Sequence, residues 1–336
     1  MQTSNTQAAA RGAPHVARVA IIGAGLVGST TAYALLLSGT VPDIVLIDKD
    51  TKRAEGHVQD LKDAEIFSHT THVRSGDFSD CATADVIIIT AGRQQAAART
   101  SRLDDLKEGA AMLRAIIDEL GRYNPTGIIL VASNPVDVLT YAALKWSGLP
   151  ANRVIGSGTT LDTSRFRRRL AERFGVAPDN VHAYVLGEHG DSQVPVVSSA
   201  SIAGMPLEGF CRQLGLPYDP AALAKIETAT RRAGFEILQA KGATYYGIGA
   251  ALARIVGATL RDEHAVLTVS SLAPPDMDLG DVCLSLPAII DRGGVSRVLP
   301  TPLSASERRA LEKSAELLKQ YAAAVVPPES PTVTRS

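Results

Sequence analysis

The stretch Val16-Ala17-Arg18-Val19-Ala20-Ile21-Ile22-Gly23-Ala24-Gly25-Leu26-Val27-Gly28-Ser29 decides the fold. Val16 to Ile22 is a short apolar run of the kind that forms a buried strand. It ends in Gly23-Ala24-Gly25-Leu26-Val27-Gly28, a G-x-G-x-x-G loop, and residues 26–38 continue as a helix that is apolar on nearly every side. Gly23 permits a tight turn, Gly25 lets backbone approach a pyrophosphate, and Gly28 lets helix and strand pack closely. The free N–H groups and positive dipole end of the helix then face the phosphates. Asp48 closes the next apolar run, Ile44 to Ile47, 20 residues after Gly28. A carboxylate there accepts hydrogen bonds from ribose hydroxyls and repels a 2′-phosphate, so the pattern predicts NAD rather than NADP. The bland alternatives are an ordinary glycine turn and a strand-end aspartate.

Further apolar runs at residues 85–90 and 127–131 alternate with helical stretches near 51–64 and 103–121. Strands alternating with helices imply βαβ units, a parallel doubly wound sheet and right-handed crossovers. Two more strand ends carry candidate cofactor backbone, Thr90-Ala91-Gly92 and Ser133-Asn134-Pro135-Val136-Asp137. In an open α/β sheet the carboxyl ends of strands line the ligand crevice. Asn134 there reads equally as a donor to substrate or ribose and as a helix cap before Pro135. After residue 157 the pattern becomes mixed. Helices are expected near 160–174, 221–240 and 245–260, and strands near 181–186, 265–271 and 282–286. A last amphipathic helix is expected from Ser304, where Ser304 and Glu307 fit a capping box. The expected organisation is an NAD-binding Rossmann domain over 16–157, a mixed α+β domain over 158–326, and loose ends at 1–15 and 327–336.

The 336 residues carry 34 Lys+Arg against 35 Asp+Glu, which gives no general attraction to nucleic acid or an anionic membrane. An apolar fraction of 45% excludes a disordered chain. No apolar run reaches the roughly 18–20 residues that cross a bilayer. Cys81, Cys211 and Cys283 are too widely spaced for a disulfide framework or a zinc site, so a reducing cytoplasm is expected. Residues 1–15 lack the apolar core of a secretory signal. His69-Thr70-Thr71-His72 has no accompanying carboxylate or thiol, and no metal site is expected.

Two segments carry candidate acid–base chemistry. Leu186-Gly187-Glu188-His189-Gly190-Asp191 sets a histidine between glycines and acids at a strand end. Histidine carries protons near neutral pH. Leu161-Asp162-Thr163-Ser164-Arg165 opens a helix, and its Asp162 and Arg165 share a face. On spacing alone this pair is either a surface ion pair of little consequence or a divided site. In the divided site Asp162 fixes the His189 tautomer and favours its charged form, while Arg165 grips a substrate carboxylate bidentately.

GAGLVGS, TAG, SNPVD, GSGTTLDTSRFR, GEHGD and KGATYYGIG occur in that order. Together, over about residues 16–325, they resemble the L-lactate dehydrogenase branch of the lactate/malate dehydrogenase family. The resemblance implies a homotetramer with NAD as cofactor and pyruvate and L-lactate as substrates. It implies that His189 exchanges the proton with substrate, that Asp162 partners it, that Arg165 binds the substrate carboxylate and that Arg102 polarises the carbonyl. Asn134 and Thr244 then line the substrate, and Ile248 packs on the nicotinamide. Gly23, Gly25, Leu26, Val27, Gly28, Asp48, Thr90, Ala91 and Gly92 are the remaining cofactor positions. Gln95 matches the position that selects a neutral methyl. The loop from Gly92 to Arg102 is one residue longer than the family pattern, however, and Arg93 and Arg99 flank it. Malate, or a bulkier 2-oxo acid, therefore stays as an alternative substrate. Arg167 and His182 match an effector site for fructose 1,6-bisphosphate between subunits; the bland reading is a surface arginine and a strand histidine.

Overall fold

The structure, a computed structural model, describes residues 15–92 and 102–326. Its first half alternates strand and helix: β1 (Arg18–Ile22), α1 (Leu26–Ser38), β2 (Asp43–Ile47), α2 (Thr51–Glu65), β3 (His72–Ser75), β4 (Val86–Ile89), α3 (Arg102–Gly121), β5 (Ile128–Val131), α4 (Val136–Ser147) and β6 (Val154–Gly156). The second half holds α5 (Thr160–Phe174), β7 (Val181–Leu186), β8 (Val194–Ile202), β9 (Met205–Pro206), α6 (Leu207–Leu214), α7 (Pro220–Lys241), α8 (Tyr246–Leu260), β10 (Ala265–Leu272), β11 (Cys283–Asp291), β12 (Gly294–Val298) and α9 (Ala305–Ala323).

Strands β1 to β6 pair in parallel in the order β3-β2-β1-β4-β5-β6. Their runs are continuously apolar because both faces are covered. Side chains alternate between two cores. Val19, Ile21, Ile44, Leu46 and Ile88 face the layer of α1, α2 and α8. Ala20, Ile22, Val45, Ile47, Ile87 and Ile89 face α3 and α4. Helix α1 lies between the sheet and α8, which bury Ala32, Leu35 and Leu36, while its Leu26, Tyr33 and Leu37 are exposed. A Cβ placed on Gly249 of α8 would stand 2.8 Å from Thr30 Cγ2 of α1.

The sheet does not stop at β6. Gly156 pairs with Ser270, and β10, β11 and β12 continue it as an antiparallel ribbon. A separate three-stranded antiparallel sheet, β7-β8-β9, packs beside α5. The capping box at Ser304 forms: Glu307 N–H donates to Ser304 Oγ (3.3 Å), and Ser304 N–H donates to Glu307 Oε2 (2.8 Å).

Strand order reverses between β1 and β4, and the carboxyl ends of these two strands meet through the glycine loop. A Cβ on Gly23, whose φ is +110°, would lie 2.7 Å from Ala91 N. One on Gly28 would lie 1.9 Å from the Gly23 carbonyl oxygen. Gly25 differs, because a Cβ there meets nothing within 4 Å. Gly28→Ala should therefore destabilise the protein by about 1–3 kcal/mol, as overpacking does. Gly25→Ala should leave chemical denaturation unchanged and weaken NADH binding measured by fluorescence. Equal loss of stability in both variants would contradict these separate roles.

Candidate active site

The crevice begins at the N-terminus of α1. Gly25 is its N-cap, and no side chain caps the helix or places an acid in its first turn. The helical ladder opens with Ser29 N–H donating to the Gly25 carbonyl (2.9 Å). The N–H groups of Leu26, Val27 and Gly28 precede the first intrahelical donors, so they are available to an anion. Asp48 stands at the end of β2, where its Oδ2 accepts from Ala24 N–H (2.7 Å) and its Oδ1 from Asp50 N–H (2.9 Å). The glycine loop itself thus orients the carboxylate. Thr90 Oγ1 donates to the Gly23 carbonyl (2.8 Å), which fastens the end of β4 to the same loop. Ala91 and Gly92 follow at the rim. The open space over Gly25, the uncapped helix end and the adjacent carboxylate fit a dinucleotide with free ribose hydroxyls.

Asn134 is exposed between β5 and α4 on the same carboxyl edge. Its neighbour Ser133 donates from Oγ to the Ala91 carbonyl (2.5 Å), so two strand ends are tied together beneath it. Ile248 is half-buried on α8 against the α1 core, and Thr244 is half-buried in the loop before that helix. Gln95, Arg93 and Arg99 lie outside the described residues. Arg102 opens α3, and its side chain also lies outside them.

The histidine stands where three elements converge. Asp162, in the first turn of α5, is 1% exposed. Its Oδ2 meets His189 Nδ1 at 2.5 Å, and its Oδ1 accepts from Arg165 Nη1 at 2.9 Å. The spacing of three along α5 thus places acid and arginine on one face, and the end of β7 brings the imidazole to the carboxylate. The His189 side chain remains 28% exposed, so with Nδ1 engaged its Nε2 is the atom left for a substrate.

Charge follows this geometry. The Asp162 carboxylate, outweighing the cost of burial, raises His189 from 6.5 to about 9. Burial pushes Asp162 upward, but the His189 and Arg165 charges prevail and hold it below its usual range. His189 is therefore cationic at neutral pH and gives up its proton in mildly alkaline solution.

Successive backbone donors hold the loop that carries His189. Gly187 N–H donates to the Ser285 carbonyl on β11 (2.9 Å). Glu188 N–H donates to Ser314 Oγ on α9 (2.8 Å), and His189 N–H donates to Asp137 Oδ2 on α4 (2.7 Å). Glu188 is buried and accepts from the Ser192 hydroxyl (2.6 Å), which closes the turn. A Cβ on Gly190 would sit 2.6 Å from Glu188 Cδ, which explains the glycine after the histidine. Asp137, Ser285 and Ser314 received no functional role from sequence reasoning. Asp137 stands within the quoted SNPVD motif, but its partner is a main-chain amide 52 positions away.

Arg167, five residues beyond Asp162 on α5, donates from Nε to the Ala183 carbonyl (2.9 Å) and lies over the Tyr184 ring. His182 is exposed on β7, next to that carbonyl. Among the described residues, no cluster of three His, Cys, Asp or Glu side chains could hold a metal ion. Nor is any helix among them long and apolar enough to cross a membrane.

A Rossmann sheet with an open glycine cradle, joined to a domain that pairs histidine with a buried aspartate, defines a nicotinamide-dependent dehydrogenase. Residues 17–156 match the family model for the NAD binding domain of lactate/malate dehydrogenase, and residues 159–326 match that for its alpha/beta C-terminal domain. The chain belongs to the lactate/malate dehydrogenase family, and its cofactor is NAD. It is 45% identical over 305 residues to L-lactate dehydrogenase of Acetivibrio thermocellus, covering 91% of this chain and 96% of that one. It is 46% identical over 308 residues to the Thermus aquaticus L-lactate dehydrogenase, covering 92% and 99%. The solved minor L-lactate dehydrogenase of Enterococcus mundtii superposes with a TM-score of 0.90 at 37% identity, covering 94% of this chain and all of that one.

The His189–Asp162 pair has a pH signature. The folded imidazole titrates near 9 and an unfolded one near 6.5. The pair's contribution to stability is thus complete below about pH 6.5 and is lost as pH rises through about 9. The difference in unfolding free energy between the unsubstituted protein and Asp162→Asn should be largest just below pH 6.5 and narrow as pH rises toward 9, where the Arg165 pairing alone remains. A difference that grows with pH would contradict the pairing.

Proposed function

We propose that this protein is an NAD-dependent L-lactate dehydrogenase that interconverts (S)-lactate and pyruvate in the cytoplasm. The observation that carries the reading is the His189–Asp162–Arg165 cluster beside the dinucleotide cradle, in a chain whose nearly full-length relatives bear that name.

In lactate oxidation, deprotonated His189 Nε2 takes the hydroxyl proton while Asp162 stabilises the imidazolium that forms. When bound, NAD supplies the acceptor for the hydride that leaves C2 of the substrate. Arg165 binds the substrate carboxylate through the part of its guanidinium that does not hold Asp162. In the reverse direction, protonated His189 donates to the carbonyl oxygen of pyruvate, and Arg102 stabilises the charge on that oxygen. Asn134 hydrogen-bonds the hydroxyl, Thr244 lines the pocket, and Ile248 packs against the nicotinamide. Gln95 selects the methyl group. Fixed charges in a site closed to water act strongly on the developing charge.

The proposal extends to regulation. Arg167 and His182 bind fructose 1,6-bisphosphate between subunits of a homotetramer, and the effector favours the active assembly. The support is their location: α5 carries both Asp162 and Arg167, so an anion held at Arg167 bears on the helix that positions the acid–base pair. Arginine suits phosphate through its forked donors.

kcat/KM should strongly favour pyruvate over oxaloacetate with NADH, and fructose 1,6-bisphosphate should raise it. His189→Ala should bind NADH normally and lose turnover. Preference for oxaloacetate would replace the substrate assignment with malate. Unchanged pyruvate kinetics and assembly with the bisphosphate would remove the effector assignment.

A further inference from the structure

Asp137 is a buried carboxylate that the acid–base scheme does not use. It is 2% exposed in the first turn of α4. One oxygen, Oδ2, accepts the His189 backbone N–H at 2.7 Å. The other, Oδ1, is buried without a hydrogen bond of good geometry among the described residues, and the Ser270 hydroxyl on β10 is the polar neighbour that bears on this carboxylate. Such an arrangement is costly, because a buried charge left half-satisfied destabilises the fold. A neutral residue would serve a purely structural anchor at lower cost.

The charged and titratable neighbours of Asp137 come from several elements. His189 and Glu188 belong to the loop after β7, and Cys283 begins β11. Asp162 and Arg165 of α5 stand beyond the histidine. Among these groups, only His189 and Arg165 carry positive charge, and Arg165 is already paired with Asp162. The Asp137 carboxylate therefore faces one cation that its charge is free to favour, and it touches that residue's own main chain.

We propose that Asp137 is a second, positioning carboxylate for proton transfer: it anchors the His189 main chain and its charge increases the basicity of the imidazole. This deepens the lactate dehydrogenase reading and rests on it only for the role of His189 in turnover. Burial pushes Asp137 up to about 6, against the opposing pull of Ser270 and the His189 N–H. Asp137 is consequently ionised through the range in which His189 exchanges its proton, and it loses its influence in acid.

Two variants separate charge from anchoring. Asp137→Asn keeps an oxygen for the His189 N–H and removes the charge. Asp137→Ala removes both. The readout independent of activity is the His189 ring titration by NMR, its signal assigned by its absence in His189→Asn. In Asp137→Asn the ring should titrate about one unit lower, within the range that a lost neighbouring charge produces. kcat/KM for pyruvate at pH 9 should then fall about fivefold, which is the loss of cationic imidazole that such a shift causes. Its melting temperature at pH 8 should not fall, because a buried charge has been removed. Asp137→Ala should lose about 10²-fold in kcat/KM at pH 7, as a displaced catalytic group does. In the unsubstituted protein, the ring signal should also show a second, small inflection near pH 6.

An unchanged ring titration in Asp137→Asn, or the absence of the acid inflection, would overturn the effect of charge. Activity of Asp137→Ala within threefold of the unsubstituted enzyme would overturn the anchoring role. A shifted ring titration in a protein that does not turn over pyruvate would leave the inference standing and reject the lactate dehydrogenase reading instead.

Discussion

A carboxylate withdrawn from water must be paired, and Asp162 meets that demand with two partners. Arg165 occupies one oxygen from the same helical face, and His189 occupies the other from across the chain. Burial alone would push the carboxylate toward its neutral form, and the two cations together hold it ionised. This single constraint fixes the orientation of the imidazole, leaves Nε2 open and makes the ring more basic. It also dictates the register of α5 against β7, because the two must meet to within a hydrogen bond.

The surrounding structure holds that meeting in place. The loop at residues 187–192 is too short and too polar to be positioned by apolar packing. It is held instead through the backbone by β11, α9 and α4, each supplying one acceptor to successive amides. β11 in turn belongs to the ribbon that extends the parallel sheet beyond β6. The loop that carries His189 leaves the smaller sheet at β7 and is bonded at Gly187 to β11, a strand of the same large sheet whose β1 and β4 carry the dinucleotide cradle.

Much of this was legible in the sequence. The runs at residues 16–22, 44–47 and 85–90 read as buried parallel strands because their apolar residues are continuous rather than alternating. The cradle was legible because three glycines have three distinct steric duties, and the structure gives each a different surrounding. The Ser304–Glu307 box was legible because a cap is a local interaction. The expected helices near 160–174, 221–240 and 245–260 lie within a residue or so of α5, α7 and α8.

What was not legible depended on distant partners. α4 begins directly after a proline, and its first turn was taken up by competing readings of Asn134. β8 mixes proline and serine with valine and has no clean alternation, because one face meets α9 and the other is partly exposed. β12 is a short edge strand defined by its pairing with β11. Asp137 bonds a main-chain amide, which leaves no residue-type signal at the other end. The pairing of His189 with Asp162 could be proposed from chemistry, but only the fold brings together residues 27 positions apart.

The most direct measurement of the Asp162-centred account is the pH dependence of kcat/KM in both directions with one preparation of the unsubstituted enzyme. The account predicts that pyruvate reduction falls and lactate oxidation rises about one common group, titrating near 9 as His189 does. A controlling group near 6.5, the value of an unpaired histidine, would contradict it, as would two limbs running in the same direction.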